Sequence, residues 1–457
     1  MTSSLTSPQP LSRHPLSRQH RSLSSTRTSP ATPVVHLHIG TMKTGTTYLQ
    51  SVLTRHREQL AEQGVLFPGE TWRHQVRAVQ DVMGSTHGDP TIRAQADGAW
   101  RALTREVLRH RGPSVVSMEF LSHAGPEQAR RVMSSLGEAE VHVVLTVRDA
   151  AGTVPAQWQT MVRNGSTLSW PEFRRGARRA TGRRARPGRL ADPAAVKFRH
   201  AQDVARMLEV WRRFVPAERI HVVTVPDSGG DRSLLWQRFS GVVGLDPRIG
   251  AQDTSVNTSL GYASAELLRL VNAELAGRGG RDGSSGSLGG AGRFALSDYN
   301  ATVREVLAGQ VLAARSDSEA RPLLDRRTAD FALAWNARTR EAVTSTRAHL
   351  VGDLADLPVA AVDPSRVDDH QPPPSSVQLL EVAEESVEAL RRLVERRAAR
   401  AVRRGVDVPG EVWGVRGGRG RGGARGATGD AVSEIAVLCR EAMVLRRCLQ
   451  ASREAAR

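Results

Sequence analysis

Four continuous apolar runs divide the first half of the chain. They are VVHLHI from Val34, SVVSMEFL from Ser114, VHVVLTV from Val141 and RIHVVTVP from Arg219. Runs that stay apolar without alternating are typical of strands buried on both faces of a parallel sheet. The pattern therefore predicts four parallel strands, the second of them extending over the whole of SVVSMEFL.

Helical patterns separate these runs. Apolar positions between Tyr48 and Leu60 recur at helical spacing, and Gly64 follows as a stop signal, which predicts one helix after the first strand. A second pattern, AQDVARMLEVWRRF at residues 201–214, predicts a helix that leads into the fourth strand. Strands that alternate with helices favour an α/β fold with a doubly wound parallel sheet. Ligands of such folds bind beyond the carboxyl ends of the strands, so the residues directly after the first three runs are the candidates for a site.

The two ends of the chain differ from this central part. Residues 1–32 are rich in Ser, Thr, Pro and Arg and lack the apolar core of a secretory signal, and no later run reaches about 18 apolar residues. We expect a disordered leader over 1–32, an α/β domain over 33–372 and a helical tail over 373–457 with a Gly/Arg-rich linker near 415–428. This composition predicts a cytoplasmic protein without a transmembrane segment, and it leaves the oligomeric state open.

The tail contains two amphipathic stretches, LLEVAEESVEALRRLVERRAARAV and AVSEIAVLCREAMVLRRCLQ. Their apolar stripes are expected to pack on the core or on each other. The second stretch holds both cysteines of the chain, Cys439 and Cys448. Nine residues apart on a helix they would lie roughly 13 Å apart, too far for a disulfide. A reducing compartment agrees with this spacing.

The positive charge of the chain is almost entirely arginine. The formal net charge is +17, yet only two lysines are present, Lys43 and Lys197. Abundant arginine is most simply a compositional habit of the source genome, so we do not expect a nucleic-acid partner. An acid-free stretch at 174–189 holds eight arginines and is either a solvated loop or an attractor of anionic substrates. The rarity of lysine makes Lys43 informative, because a compact ammonium group is then used where arginine is the default.

Lys43 lies in the sequence GTMKTGTT, between the first strand and the helix that follows it. Free backbone N–H groups and the helix dipole make such a turn a ready anion site. A Walker A loop has its lysine after the second glycine, whereas here Lys43 precedes Gly45 by two residues. The candidate anion-binding residues of this loop are Lys43, Thr44, Gly45, Thr46 and Thr47.

The displaced lysine resembles the 5′-phosphosulfate loop of sulfotransferases that use 3′-phosphoadenosine 5′-phosphosulfate (PAPS), which has the form PKSGTT or PKTGTT. Further segments, such as EQLAEQGVLFPG, LLWQRFSGVVGLDP and LVGDLADLPV, are similar to a bacterial, actinobacterial-type branch of that family, over roughly residues 33 to 362. The resemblance implies a P-loop-NTPase-like parallel sheet flanked by helices. It also implies transfer of a sulfuryl group from PAPS to a hydroxyl or amine of a small-molecule, glycan or lipid acceptor, with no metal ion.

A second landmark of the family is an arginine at the end of a buried strand, which implies that Arg148 binds the 3′-phosphate of PAPS. The common pattern has a serine eight residues later, and this chain has Ala156 there. Asp149 offers a rival interpretation, a Walker B carboxylate on magnesium in a P-loop nucleotide kinase. A non-catalytic nucleotide-binding relative is the other alternative.

The acceptor requires a general base within hydrogen-bond reach of its attacking group. Glu119 follows the second apolar run and is expected at the same sheet edge as Lys43. Some sulfotransferases use a glutamate and others a histidine at the corresponding strand end. Glu119 is therefore the predicted catalytic base, and His123, four residues later, is the alternative.

Overall fold

A computed structural model of the chain describes residues 32–86, 88–181, 192–226, 233–251, 253, 259–277, 295–409 and 426–455. Three predicted features fall largely outside the described residues. They are the leader (1–31), the second half of the arginine-rich stretch (182–189) and most of the Gly/Arg-rich linker (415–425).

Five parallel strands form one sheet in the order β2-β1-β3-β4-β5. The strands are β1 (Val34–Gly40), β2 (Pro113–Ser117), β3 (Glu140–Val147), β4 (Ile220–Thr224) and β5 (His349–Val351). The four apolar runs are thus confirmed as parallel strands of an α/β fold. The second strand is shorter than predicted and ends at Ser117, because the chain then tightens into a 3₁₀ turn at Glu119–His123. The sequence pattern did not predict β5.

Helices cover both faces of the sheet. Those of the first half are α1 (Thr46–Arg55), α2 (Arg57–Glu62), α3 (Trp72–Met83), α4 (Pro90–Ala96), α5 (Ala99–Arg109), α6 (Pro126–Ser135), α7 (Ala150–Arg163), α8 (Trp170–Ala177), α9 (Pro193–Gln202) and α10 (Val204–Trp211). The second half has α11 (Ser233–Val243), α12 (Tyr262–Ala276), α13 (Leu296–Tyr299), a π-helix at Asn300–Val311, α14 (Arg326–Thr346), α15 (Ser376–Arg403) and α16 (Ala427–Ala455).

Two predicted helices are interrupted. The helix after β1 breaks at His56, where φ is −100° and ψ is 21° and the ring bonds Gln59 and Asp253. The helix before β4 breaks at Asp203, whose side chain accepts the N–H of Arg206 and so starts α10. At Asp203 the carboxylate thus takes an N–H that a continuous helix would have donated to a backbone carbonyl.

Each face of the sheet has its own hydrophobic core. On one face, α1, α2 and α11 pack on β2, β3 and β4 through side chains such as Leu53, Val144 and Phe239, all fully buried. On the other face, α3, α5, α6 and α10 cover β1 to β4 through side chains such as Leu37 and Trp211. The sheet therefore has the two-sided cover that a parallel sheet needs.

The two tail helices belong to a third core. Helices α15 and α16 pack on each other and on α12, in a cluster that also contains Trp158 of α7. Packing of the tail stripes on each other and on the core is thus confirmed. Cys439 and Cys448 are both free thiols on α16. Within the described ranges, no helix is both long enough and apolar enough to cross a bilayer.

Candidate functional site

The loop between β1 and α1 lies where the strand order of the sheet reverses, between β1 and β3. Thr41 continues the pairing with β3 by donating its N–H to the carbonyl of Thr146 at 2.8 Å. Gly45 is the N-cap of α1 with φ 84°, and no side chain bonds the cap. A Cβ at Gly45 would also come within 2.5 Å of Leu235 in α11, so this position needs glycine for its conformation and for space. The loop thus presents the uncapped start of α1 at the switch point of the sheet, where ligands of such folds bind.

Lys43 has a backbone conformation that is rare for a residue with a side chain. Its φ is 65°, in the left-handed region, which costs about 1 kcal/mol or more outside glycine. Burial lowers the pKa of its ammonium to about 8, assisted by the positive charges of Arg163 and Arg304 and opposed by Glu119. The ammonium therefore lies in a partly desolvated position, where its charge interacts more strongly than in water.

A buried polar network supports the loop from below. The ring of His38, fully buried in β1, bonds the Ser117 hydroxyl at 2.8 Å and the Thr146 hydroxyl at 3.2 Å. Thr146 in turn shares a 2.5 Å hydrogen bond with the hydroxyl of Thr44. Burial lowers the pKa of His38 to about 3, so the ring is neutral and can act as donor on one side and acceptor on the other. Thr44 is therefore a support of the loop rather than an exposed contact.

The two other threonines of the loop differ in exposure. Thr46 is 4% exposed at the first turn of α1, and Thr47 beside it is exposed to solvent. Only the hydroxyl of Thr47 is openly accessible, whereas Thr46 is available mainly through its backbone N–H. Gly45, Thr46 and Thr47 remain the residues at which an anion would meet the start of α1.

Glu119 lies beside this loop, at the start of the 3₁₀ turn after β2. Gln50 on α1 donates one N–H to a Glu119 carboxylate oxygen at 2.8 Å and another hydrogen bond to the Ser117 carbonyl at 3.1 Å. The carboxylate is close enough to Lys43 to raise the pKa of that ammonium. The structure thus brings the predicted base near the predicted loop lysine, and Gln50 ties the base to α1, the helix that follows the loop.

His123 lies at the other end of the same 3₁₀ turn. Its ring packs between two tilted rings, those of Phe120 and of His200 on α9, with centroid distances of 6.4 Å and 6.0 Å. Arg206 holds this end of the turn by donating to the carbonyls of Ser122 and Ala124. His123 thus packs between aromatic rings at the far end of the turn, whereas Glu119 is close enough to the loop lysine to raise its pKa.

Arg148 follows β3 directly and folds back over the first turn of α7. A Cβ at Gly152 would come within 3.2 Å of its guanidinium, so the glycine lets this side chain lie against the helix. Ala156 lies one turn further along the same half-exposed stripe and supplies no hydroxyl. Thr153 does not replace it, because its side chain is 1% exposed and faces the core.

Asp149 is fully engaged in holding the fold together. One carboxylate oxygen accepts from the N–H of Ala151, capping α7, and from the Asn336 amide at 2.7 Å. The other forms an ion pair with Arg366 at 3.1 Å. With both oxygens bonded and the residue 7% exposed, Asp149 is poorly placed to hold a magnesium ion.

Two arginines that the sequence patterns did not indicate lie near enough to Lys43 to lower the pKa of its ammonium. Arg163 is the last residue of α7 and donates to the carbonyl of Ala308 at 3.4 Å, on the π-helix. Arg304 lies on that same π-helix, and its charge lowers the pKa of Arg163 after the larger effect of burial. No local motif marks either residue, because the packing of distant segments brings them near the loop.

In the described part of the chain, no group of three or more His, Cys, Asp or Glu side chains is placed to hold a metal ion. Comparisons of the chain with protein-family models, curated protein sequences and solved structures found no match. The function is therefore inferred from the residues and the geometry of the site.

Proposed function

We propose that this protein is a PAPS-dependent sulfotransferase with the P-loop-like sulfotransferase fold. The observation that supports this most is the meeting of Lys43 and Glu119 at one edge of a parallel sheet. They come from loops after two neighbouring strands, and Lys43 belongs to the GTMKTGTT sequence. A cation beside a carboxylate at the start of a helix suits transfer of an anionic group to a protonated nucleophile.

PAPS supplies a sulfuryl group already activated by its bond to phosphate. The uncapped start of α1 and the hydroxyl of Thr47 would hold the 5′-phosphosulfate. Arg148 would bind the 3′-phosphate, since a planar guanidinium suits bidentate phosphate contacts. Because Ala156 stands where the family usually has a serine, Arg148 would bind the 3′-phosphate without the help of a serine hydroxyl.

Lys43 and Glu119 would share the chemical step. The acceptor oxygen bonds to sulfur as the bond from sulfur to the bridging phosphate oxygen breaks, and the acceptor proton passes to the Glu119 carboxylate. Lys43 offsets the negative charge that grows on the departing phosphate, the kind of preorganised contact that is worth about 10²- to 10³-fold in rate. Gln50 keeps the carboxylate oriented through its 2.8 Å hydrogen bond.

A magnesium-dependent kinase is the weaker alternative. It requires a free carboxylate at the end of β3, and the oxygens of Asp149 are bonded to Ala151, Asn336 and Arg366. The order of Lys43 and Gly45 in the loop also departs from the Walker A pattern.

The base assignment is tested by comparing Glu119→Gln with His123→Asn. Glutamine keeps the hydrogen bond from Gln50 but cannot take a proton. We expect Glu119→Gln to lower PAPS turnover about 10²- to 10⁴-fold, measured as PAP release with a panel of hydroxylated acceptors, and to leave PAP affinity nearly unchanged. We expect His123→Asn to remain active. Full activity of Glu119→Gln together with loss in His123→Asn would transfer the role of base to the histidine.

A further inference from the structure

His38 lies near the carboxyl end of β1, between two neighbouring strands. The sheet places β2 on one side of β1 and β3 on the other. The ring of His38 is fully buried and bonds one side chain on each neighbour. Its Nδ1 lies 2.8 Å from the Ser117 hydroxyl of β2, and its Nε2 lies 3.2 Å from the Thr146 hydroxyl of β3. One side chain therefore joins three adjacent strands.

The joined strands lead directly into the candidate site. The loop with Lys43 follows β1. Ser117 is the last residue of β2, and Glu119 comes two residues later. Thr146 is the last residue but one of β3. The ring of His38 thus links the strands at the level where the loop and the turn with Glu119 begin.

The backbone pairing of β1 becomes irregular at this level. The register with β2 ends where His38 lies opposite Ser117. The register with β3 shifts after His38, so that Gly40 lies opposite Leu145 and β1 contains one extra residue. The side-chain bonds of His38 therefore add a constraint where the backbone ladder supplies less of one.

The hydrogen bonds run in one direction, from β2 into the loop. The Thr44 hydroxyl donates to the Thr41 carbonyl at 2.6 Å, so the Thr146 hydroxyl donates to Thr44 at 2.5 Å. Thr146 then accepts from Nε2–H of His38, and Nδ1 of His38 accepts from the Ser117 hydroxyl. Burial keeps the ring neutral, because it lowers the pKa of His38 to about 3. Both ring nitrogens are therefore used, one as donor and one as acceptor.

The two ring nitrogens lead to different parts of the site. Nε2 leads through Thr146 and Thr44 into the anion loop. Nδ1 leads to Ser117, whose carbonyl accepts from the Gln50 amide at 3.1 Å. The same amide nitrogen donates to the Glu119 carboxylate at 2.8 Å. Loss of one ring bond should therefore disturb one part of the site and spare the other.

We propose that His38 is a positioning residue with two separate roles. Its Nε2–H bond fixes the anion loop, and its Nδ1 bond fixes the turn that carries Glu119. The consequence for catalysis rests on the proposed sulfotransferase function, because only then is the loop a PAPS site and Glu119 a base. The positioning itself depends on the hydrogen bonds of the ring.

Two variants remove these bonds one at a time. Glutamine places its amide nitrogen near the position of Nε2, so His38→Gln keeps the bond to Thr146 and loses the bond to Ser117. Asparagine places its amide oxygen near the position of Nδ1, so His38→Asn does the reverse. His221→Gln is the matched control, because the buried ring of His221 also bonds a ring on each neighbouring strand. His221 lies close to the amino end of β4, whereas the loop lies at the carboxyl ends.

Hydrogen exchange of the ligand-free proteins at pH 7, followed by mass spectrometry, measures the two roles. We expect His38→Asn to exchange about tenfold faster than wild type in residues 41–50 and to stay within about twofold of it in residues 118–124. His38→Gln should show the opposite pattern, and His221→Gln should change neither segment. If a His38 variant does not fold, Thr146→Val and Ser117→Ala remove the same two bonds from the partner side and should give the same two patterns. The same effect on both segments in each variant of a pair, or no effect in either, would overturn the proposal.

Calorimetric titration and turnover connect the positions to the reaction. We expect the Kd of His38→Asn for PAP to rise about tenfold. His38→Gln should keep its Kd within about threefold of wild type, while its kcat for PAP release with the acceptor panel falls about tenfold. Unchanged Kd and kcat in both variants would overturn the role in the reaction. If wild type does not bind PAP, the sulfotransferase proposal fails, and the exchange rates still decide whether His38 positions the two segments.

Discussion

Replacing Lys43 by methionine should stabilise the ligand-free protein while weakening its binding of PAP. The pKa of Lys43 falls from 10.5 to about 8, and one pKa unit corresponds to about 1.4 kcal/mol. At pH 7 the ammonium is charged in both the folded and the unfolded chain, so the folded state carries the whole cost of its desolvation and repulsion. Because the side chain keeps some contact with solvent, we expect a gain of about 1 to 3 kcal/mol rather than the full value. Methionine keeps the unfavourable φ and the apolar stem, so the comparison isolates the charge.

Thermal unfolding at pH 7 measures this gain as a rise in Tm of about 1 to 3 °C, given the length of the chain. With PAP at about 1,000 times the wild-type Kd, wild-type stability should rise by about 4 kcal/mol, whereas the variant, which lacks one charge-assisted contact of about 1.5 to 3 kcal/mol, should rise by only about 1 to 2.5 kcal/mol. The stability advantage of the variant should therefore shrink or disappear. Without ligand, the difference should shrink between pH 8 and 10.5, as folded Lys43 loses its proton. Lys197→Met is the matched control, since it removes the only other lysine and should leave the response to PAP intact. A Lys43→Met protein that is less stable than wild type at pH 7 without ligand would refute the reasoning.

Two further predictions concern stability. Burial, followed by the charges of neighbouring histidines, lowers the pKa of His36 and His221 to about 4, in a row of rings that also includes His142 and His349. Each binds a proton below pH 6.5 only when the chain unfolds, so stability should fall as the pH drops from 6.5 to 4. Urea titrations should show that His221→Gln loses about 2 kcal/mol less unfolding free energy between pH 7 and pH 5 than wild type does. Equal losses of unfolding free energy in variant and wild type would count against this. Truncation after residue 409 removes α16, whose fully buried side chains each contribute about 1.5 to 3 kcal/mol to stability. Calorimetry of the truncated chain should therefore show no cooperative unfolding transition. A truncated chain that keeps its Tm within a few degrees of wild type would contradict this.

The sequence predicted four strands because strands buried on both faces are continuous apolar runs. It did not predict β5, since His349–Val351 is only three residues long and is defined by pairing with β4. The breaks at His56 and Asp203 were missed because the apolar spacing continues through both positions, and this spacing carries no information on the side-chain bonds that the two residues form.

The candidate site also combines a local sequence motif with residues that only tertiary packing brings together. Lys43 and its neighbours form a contiguous motif, so the sequence alone could identify them. Arg163 meets the π-helix across 145 positions of sequence, and His38 bonds Thr146 across 108. Such pairings depend on tertiary packing, for which periodicity and local motifs carry no signal. The position of His38 within an apolar run is the local sign of the polar network that supports the loop.

The central claim is that the loop and Arg148 together bind a nucleotide with a 3′-phosphate. Calorimetric titration of wild type with PAP, AMP and ATP plus magnesium tests it most directly, with Arg148→Gln as the matched variant. PAP should bind about ten- to a hundredfold more tightly than AMP, because one charge-assisted phosphate contact contributes about 1.5 to 3 kcal/mol. Arg148→Gln should reduce PAP to the affinity of AMP. Equal binding of PAP and AMP by wild type, or a preference for ATP that depends on magnesium, would contradict the assignment.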